Sequence, residues 1–192
     1  MGALDLLRQH ENHAIEWSMS ALASENFGVV IAYIIPGTAV LYSFRGDSGL
    51  VDLWFAGNPV TSPTVAGFLF VSLAAVAVGL VLSTIRWLVL DTLHHHTGMP
   101  PPQRDFRILA DRVEAFQTLV ENRYRYYQFY GNSLVALLVI LPGQLWANRL
   151  NWSQIFGLAI LGLILFLGSR SSLAGYYKES AQLLGSASSP QD

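Results

Sequence analysis

The chain has 192 residues, of which 52% are hydrophobic and 12% charged, with a formal net charge of −2 and no cysteine. A soluble domain carries about 25% charged residues, so the charge deficit argues against a soluble protein, and the near-neutral balance argues against nucleic acid as a direct partner. The lack of cysteine excludes disulfides, thiol chemistry and an iron–sulfur cluster held by this chain alone.

Residues 1–26 carry Asp5, Arg8, Glu11, Glu16 and Glu25 around no unbroken apolar core, unlike a cleaved signal peptide. The stretch from Leu4 to Leu22 reads as a weakly amphipathic helix lying on the membrane or on a cytoplasmic layer. Four apolar segments follow, at 27–44, 64–93, 131–148 and 152–169. A spanning helix needs about 20 apolar residues to cross a hydrocarbon core of about 30 Å. The fold class expected is therefore an all-α integral membrane protein with four transmembrane helices and helical cytoplasmic extensions. Domain by domain, 1–26 is a cytoplasmic or interfacial segment, 27–184 the membrane domain with its cytoplasmic layer at 94–130, and 185–192 a disordered tail.

The first crossing holds Pro36 and Gly37 and ends at Arg45–Asp47, an "RGD" read as a helix end and not as an adhesion signal. In the outer segment after it, Trp54 and Phe55 would anchor to the membrane surface. The second crossing carries a small-residue stripe, Ala75, Gly79 and Ser83, at a spacing of four, which lets helices approach closely. Arg86 and Trp87 fall where this helix reaches the headgroups, the level that arginine tips and aromatic rings favour. The helix runs on to His94, His95 and His96, with Gly98 as its C-cap and Pro100–Pro102 preventing continuation.

Asp105 can cap a new helix whose apolar positions are Phe106, Leu109, Val113, Phe116, Val120, Tyr127 and Tyr130, steps of three and four that make an amphipathic stripe. The simplest reading is one long helix from about Asp105 to Ala147, with Phe106, Leu109, Val113, Phe116, Val120, Arg123 and Arg125 as a cytoplasmic interaction face. Arg86, Trp87, Tyr126, Tyr127 and Tyr130 would then mark the membrane interface. Gly157 and Gly162 are packing positions in the fourth crossing, and "LAGYYKESAQLL" can extend that helix. "NWS" at Asn151 matches a glycosylation pattern but lies in a tight turn.

Basic residues set orientation. One face collects nine and the other only Arg45 and Arg149. Both termini and the long middle segment are therefore expected in the cytoplasm of a bacterial inner membrane.

"YIIPG" and "VILPG" suggest a weak parallel repeat, with Pro36–Gly37 and Pro142–Gly143 as kinks or gates near mid-membrane. Proline frees the carbonyl four residues back. Ala32 and Leu138 thus need a partner from a neighbouring helix, a polar side chain or water. The apolar runs 27–44, 64–85, 131–147 and 152–169 contain no Asp, Glu, Lys, Arg or His, which argues against proton-coupled transport.

The weak metal candidates are Asp91, His94 and His95, with His10 and His13 from the N-terminal segment; neighbouring helix residues diverge, so the tandem histidines cannot all serve one ion. "DTLHH" resembles one histidine box of membrane di-iron oxygenases, which use several boxes where this chain has one. No cofactor is expected. The leading functional expectation is a non-enzymatic homo-oligomer whose cytoplasmic helices form a docking or sensing platform for a protein partner. A membrane component of a bacterial stress or phage-defence system is one such role. A proline-gated pore and a histidine-dependent metalloenzyme are the alternatives.

Overall fold

The computed structural model describes residues 28, 30–45, 48, 49, 51, 52, 65–102 and 107–184. His10, His13, Trp54, Phe55, Asp105, Phe106 and the tail 185–192 lie outside the described residues. Among the described residues all regular structure is helical. We name four helices: α1, Val30–Ser43; α2, residues 65–96; α3, residues 113–146; and α4, Trp152–Leu184. A short 3₁₀ turn, Ile108–Asp111, precedes α3.

Three helices are long and apolar enough to cross a membrane: Gly67–His96, Arg125–Trp146 and Trp152–Leu184. The first apolar run is different. Among the described residues its continuous helix is Val30–Ser43, about 21 Å at 1.5 Å per residue. The long helices are inside-out relative to a soluble core: Phe68, Leu73, Phe156 and Leu163 all point outward. Trp146 and Trp152 mark one end, at 95% and 86% exposed.

Side-chain contacts fix the helix directions. Gln144 Nε2 donates to the Ser43 carbonyl at 3.3 Å and Gln128 Nε2 to the Tyr33 hydroxyl at 3.0 Å, so α1 and α3 run parallel. The α3–α4 pair is antiparallel, since Gly162 lies beneath Leu137 and Gly168 beneath the Tyr130 ring. The start of α1 and the end of α4 consequently lie at one end of the bundle, opposite Trp146 and Trp152.

Local signals explain the helix ends. Gly98 has φ +91°. Its N–H reaches the His95 carbonyl at 3.4 Å while the Met99 N–H reaches that of His94 at 3.2 Å. This pair of bonds is the Schellman closure that a left-handed residue permits, as expected for Gly98. Asn148, at φ 51°, closes α3 in the same way through Asn148 N–H to Leu145 and Arg149 N–H to Gln144. Asn151 Oδ1 then accepts from the Gln154 N–H at 2.9 Å, and Gln154 Oε1 accepts from the Asn151 N–H at 3.0 Å. "NWSQ" is thus a capping box that starts α4.

Packing corrects two expectations and gives the small-residue stripe its neighbour. The single helix from Asp105 to Ala147 is broken at Arg112, whose φ of −131° separates the 3₁₀ turn from α3. The Ala75–Gly79 stripe is used inside the chain. Gly37 rests on the Ala75 carbonyl and Gly79 on the Tyr33 carbonyl, which leaves no room for a Cβ at either glycine. The stripe of the middle segment is also covered internally. Leu119 and Tyr127 form a core with Leu173 and Tyr176, and Phe116, Val120, Tyr124 and Leu183 pack on it. Among that stripe's described apolar positions only Val113 faces strongly outward, at 46% exposed. A second core, built from Val40, Leu82, Leu90, Leu134, Val135, Ala136 and Leu165, fills the apolar band.

Candidate functional site

The polar chemistry of the bundle gathers near the end away from Trp146 and Trp152. There α1 opens with a π-helical turn, Val30–Ile34, and α2 and α3 are each interrupted by one, at Trp87–Asp91 and Val120–Tyr124. Such turns use i→i+5 bonds and are frequent at functional sites. The turn in α2 brings residue 91 back over residue 86, so that Arg86 Nη1 lies 3.6 Å from Asp91 Oδ1.

Arg86 is the clearest departure from expectation. It is 3% exposed and points into the bundle instead of reaching for the headgroups. Gly131 makes this possible, because a Cβ there would strike the Arg86 Cδ. The guanidinium carbon sits 4.6 Å from the centre of the Tyr127 ring, a cation–π contact. The Tyr127 hydroxyl donates in turn to Asp91 Oδ1. Tyr127 was expected at the interface and is fully buried. Tyr126 and Trp87 do face outward, and Tyr130 is half-buried against Gly168. Compensation of Arg86 is incomplete: its Nε and Nη1 are buried and have no hydrogen-bond acceptor.

The three histidines separate. His94 is fully buried, with Nε2 3.2 Å from Ser169 Oγ and its ring 5.5 Å from that of Phe166; its Nδ1 has no partner. His95 Nε2 meets the Tyr177 hydroxyl at 3.0 Å, and the two rings stack. His96 is exposed. Asp91 is engaged by Tyr127 and Arg86. Among the described residues no three His, Asp or Glu side chains converge on one point, so Asp91, His94 and His95 do not by themselves make a metal cluster; His10 and His13, the other two candidates, lie outside the described residues. Just beyond, Arg170 donates to Thr97 Oγ1 at 2.8 Å and to its carbonyl at 3.0 Å, fastening the end of α2 to α4.

Below this layer Asn132, fully buried, donates from Nδ2 to the Ala32 carbonyl at 2.7 Å. The polar partner that Pro36 requires is therefore present. The two prolines do not share a depth. Pro36 lies four residues beyond Ala32, whereas Pro142 lies ten beyond Asn132, so they differ by about six residues, or ~9 Å. Pro36 lines an apolar cavity of about 280 Å³ with Ile35, Ala39, Ile140 and Leu165. Pro142 and Gly143 are exposed near the end of α3.

Arg123 pairs with Glu179 on the surface at 3.0 Å, and the Arg125 stem lies over Gly28. Gly157 is open to its surroundings. The roles of Ser169, Gln128 and the inward Arg86 went unseen in sequence, because each depends on a partner distant in the chain. The chemical capacity of the site is that of a nearly closed polar seam holding α2, α3 and α4 together, with a guanidinium short of acceptors. Comparison with family models, with curated proteins and with solved structures found no match for this chain.

Proposed function

We propose that this chain is a four-crossing membrane protein of a bacterial inner membrane, with 27–44 as the first crossing and both termini cytoplasmic. It acts without catalysis, as an oligomer whose cytoplasmic helices form a docking or sensing platform. One observation carries the reading: α2, α3 and α4 continue past the apolar band into a layer with its own core, Leu119, Tyr127, Leu173 and Tyr176. The Arg86–Asp91–Tyr127 seam joins that layer to the crossing segments. A partner that shifts the layer would thus shift the crossings, since a packed helix transmits displacement along its length. Because α1 occupies Ala75 and Gly79, self-association falls to other faces; Gly157, open on α4, allows close approach of a second helix. A role in a stress or phage-defence system is one setting for such a platform.

The test uses the absence of native cysteine. Single cysteines at Gln182 and at Asn148 are labelled in spheroplasts with an impermeant thiol reagent, and the purified chain is weighed in nanodiscs. Labelling at Asn148 alone, with an oligomeric mass, supports the reading. Labelling at Gln182 alone reverses the topology. A monomer removes the oligomer, and steady single-channel currents in a planar bilayer favour the pore instead.

A further inference from the structure

We propose that the apolar cavity between α1, α3 and α4 holds one unbranched hydrocarbon chain of a membrane lipid. The cavity has a volume of about 280 Å³. Its back wall is one face of α3, where Phe129, Ser133, Ala136 and Ile140 recur at steps of four, three and four. Pro36 and Ala39 of α1 form one side, and Leu161 and Leu165 of α4 form the other. The recess follows from size: Ser133, Ala136 and Ala39 are small where Phe129, Ile140 and Leu165 are large. Its mouth faces outward, since the lining residues Ile35 and Leu161 are 47% and 44% exposed.

Depth and chemistry select the occupant. Ser133 and Ile140 lie 13 and 6 residues from Trp146, roughly 9–20 Å from that end at 1.5 Å per residue. That is the middle of a hydrocarbon core about 30 Å thick. Water does not suit the space, because a buried water needs two to four polar partners and Ser133 carries the only side-chain polar group of the lining. Left empty, the walls would forfeit van der Waals contacts on their open side. A helix with its side chains is about 10–12 Å across, so a single turn from a second copy displaces more than the cavity holds. A methylene group is close in size to a water, whose share of the liquid is about 30 Å³, so the cavity takes roughly nine methylenes.

A lipid tail is as apolar as leucine, so entering the cavity brings it no gain from leaving water. Contact on three walls retains the chain instead, and an outward ridge such as Phe68 and Leu73 offers no such recess. The headgroup stays outside, and the recognised feature is the chain. The proposal rests on the membrane reading above.

The experiment uses the full chain in phosphatidylglycerol vesicles that contain a trace of the same lipid with a diazirine at mid-chain. After illumination, the labelled residues are mapped by mass spectrometry. Outward Phe68, Leu73 and Phe156 report contact with lipid in general, while Phe129, Ser133 and Ala39 report the cavity. Labelling of the cavity residues is expected at least fivefold above the outward ones. Ala39→Phe fills the cavity from α1 and Ser133→Leu fills it from α3, at an exposed and a half-buried position. Each should lower cavity labelling at least fivefold and leave outward labelling unchanged, which also shows that the variant is still inserted. Equal labelling of both sets, or cavity labelling undiminished in both variants, overturns the proposal. So does a cavity left unlabelled beside labelled outward residues, and protection that appears only at high protein-to-lipid ratio then makes a second copy the occupant. Absence of label at every position defeats the membrane reading itself, and the proposal with it.

Discussion

Asn132 Nδ2 donates to the carbonyl oxygen of Ala32 at 2.7 Å, from one helix to another and in full burial. Pro36 has no N–H, so this carbonyl lacks its α-helical donor, and Asn132 supplies one in a place that water does not reach. Interhelical hydrogen bonds in membranes average about 0.6 kcal/mol and reach about 1.7. Asn132→Ala should accordingly lower stability by about 1 kcal/mol. Pro36→Ala restores an N–H to α1, so the loss at Asn132 should shrink in that background. Melting curves of the two single variants and the double variant test the link; strictly additive effects would disprove it.

Glycines supply a contrast within one chain. A Cβ at Gly37 or Gly79 would run into backbone of the facing helix, whereas one at Gly143 or Gly157 would meet nothing. Backbone cannot yield as a flexible side chain does. Gly37→Val or Gly79→Val should cost about 1–3 kcal/mol by overpacking, while Gly143→Ala and Gly157→Ala should be neutral or slightly stabilising, given the better helix propensity of alanine. Thermal unfolding in detergent measures all four. A neutral Gly79→Val would mean that α1 does not sit against α2.

The sequence shows much of this framework. The long apolar helices, the Gly98 stop, the extension of α4 and the need of Ala32 for a partner follow from rules about nearby residues. What it hides are the choices made by distant partners. An arginine at the edge of an apolar run can reach outward or turn inward with the same local pattern, and Gly131 with Tyr127 decides the matter here. The stripe of α3 looks unpartnered until α4 folds back over it. Periodicity likewise misses the π-helical turn that brings Asp91 back to Arg86, because an α-helix separates those positions around its axis.

The layer outside the apolar band should unfold as a unit. Leu173 is 2% exposed and Leu119 5%, both in the core shared by α3 and α4. Truncating either to alanine should cost about 2–5 kcal/mol and open the layer to protease while the crossings stay protected. Val113→Ala, at an exposed position, should stay within about 0.5 kcal/mol. Limited proteolysis of reconstituted protein separates these outcomes, and equal cleavage of all three variants would show that the layer has no cooperative core.

The seam around Arg86 should answer differently to loss of charge and loss of hydrogen bond. Asp91→Asn keeps an oxygen for the Tyr127 hydroxyl but leaves the buried guanidinium without its carboxylate. Breaking one side of a buried pair costs about 3–5 kcal/mol. Tyr127→Phe keeps the ring under the guanidinium and loses one hydrogen bond, about 1 kcal/mol. Asp91→Asn should therefore be the more damaging of the two, although it changes fewer contacts by shape. Replacing both charges together, Arg86→Met with Asp91→Leu, should recover most of the loss, because apolar groups of similar volume need no compensation. Melting temperatures of the three variants in one lipid give the order. If Asp91→Asn proves as mild as Tyr127→Phe, then the cation–π contact, and not the carboxylate, holds Arg86 in the bundle.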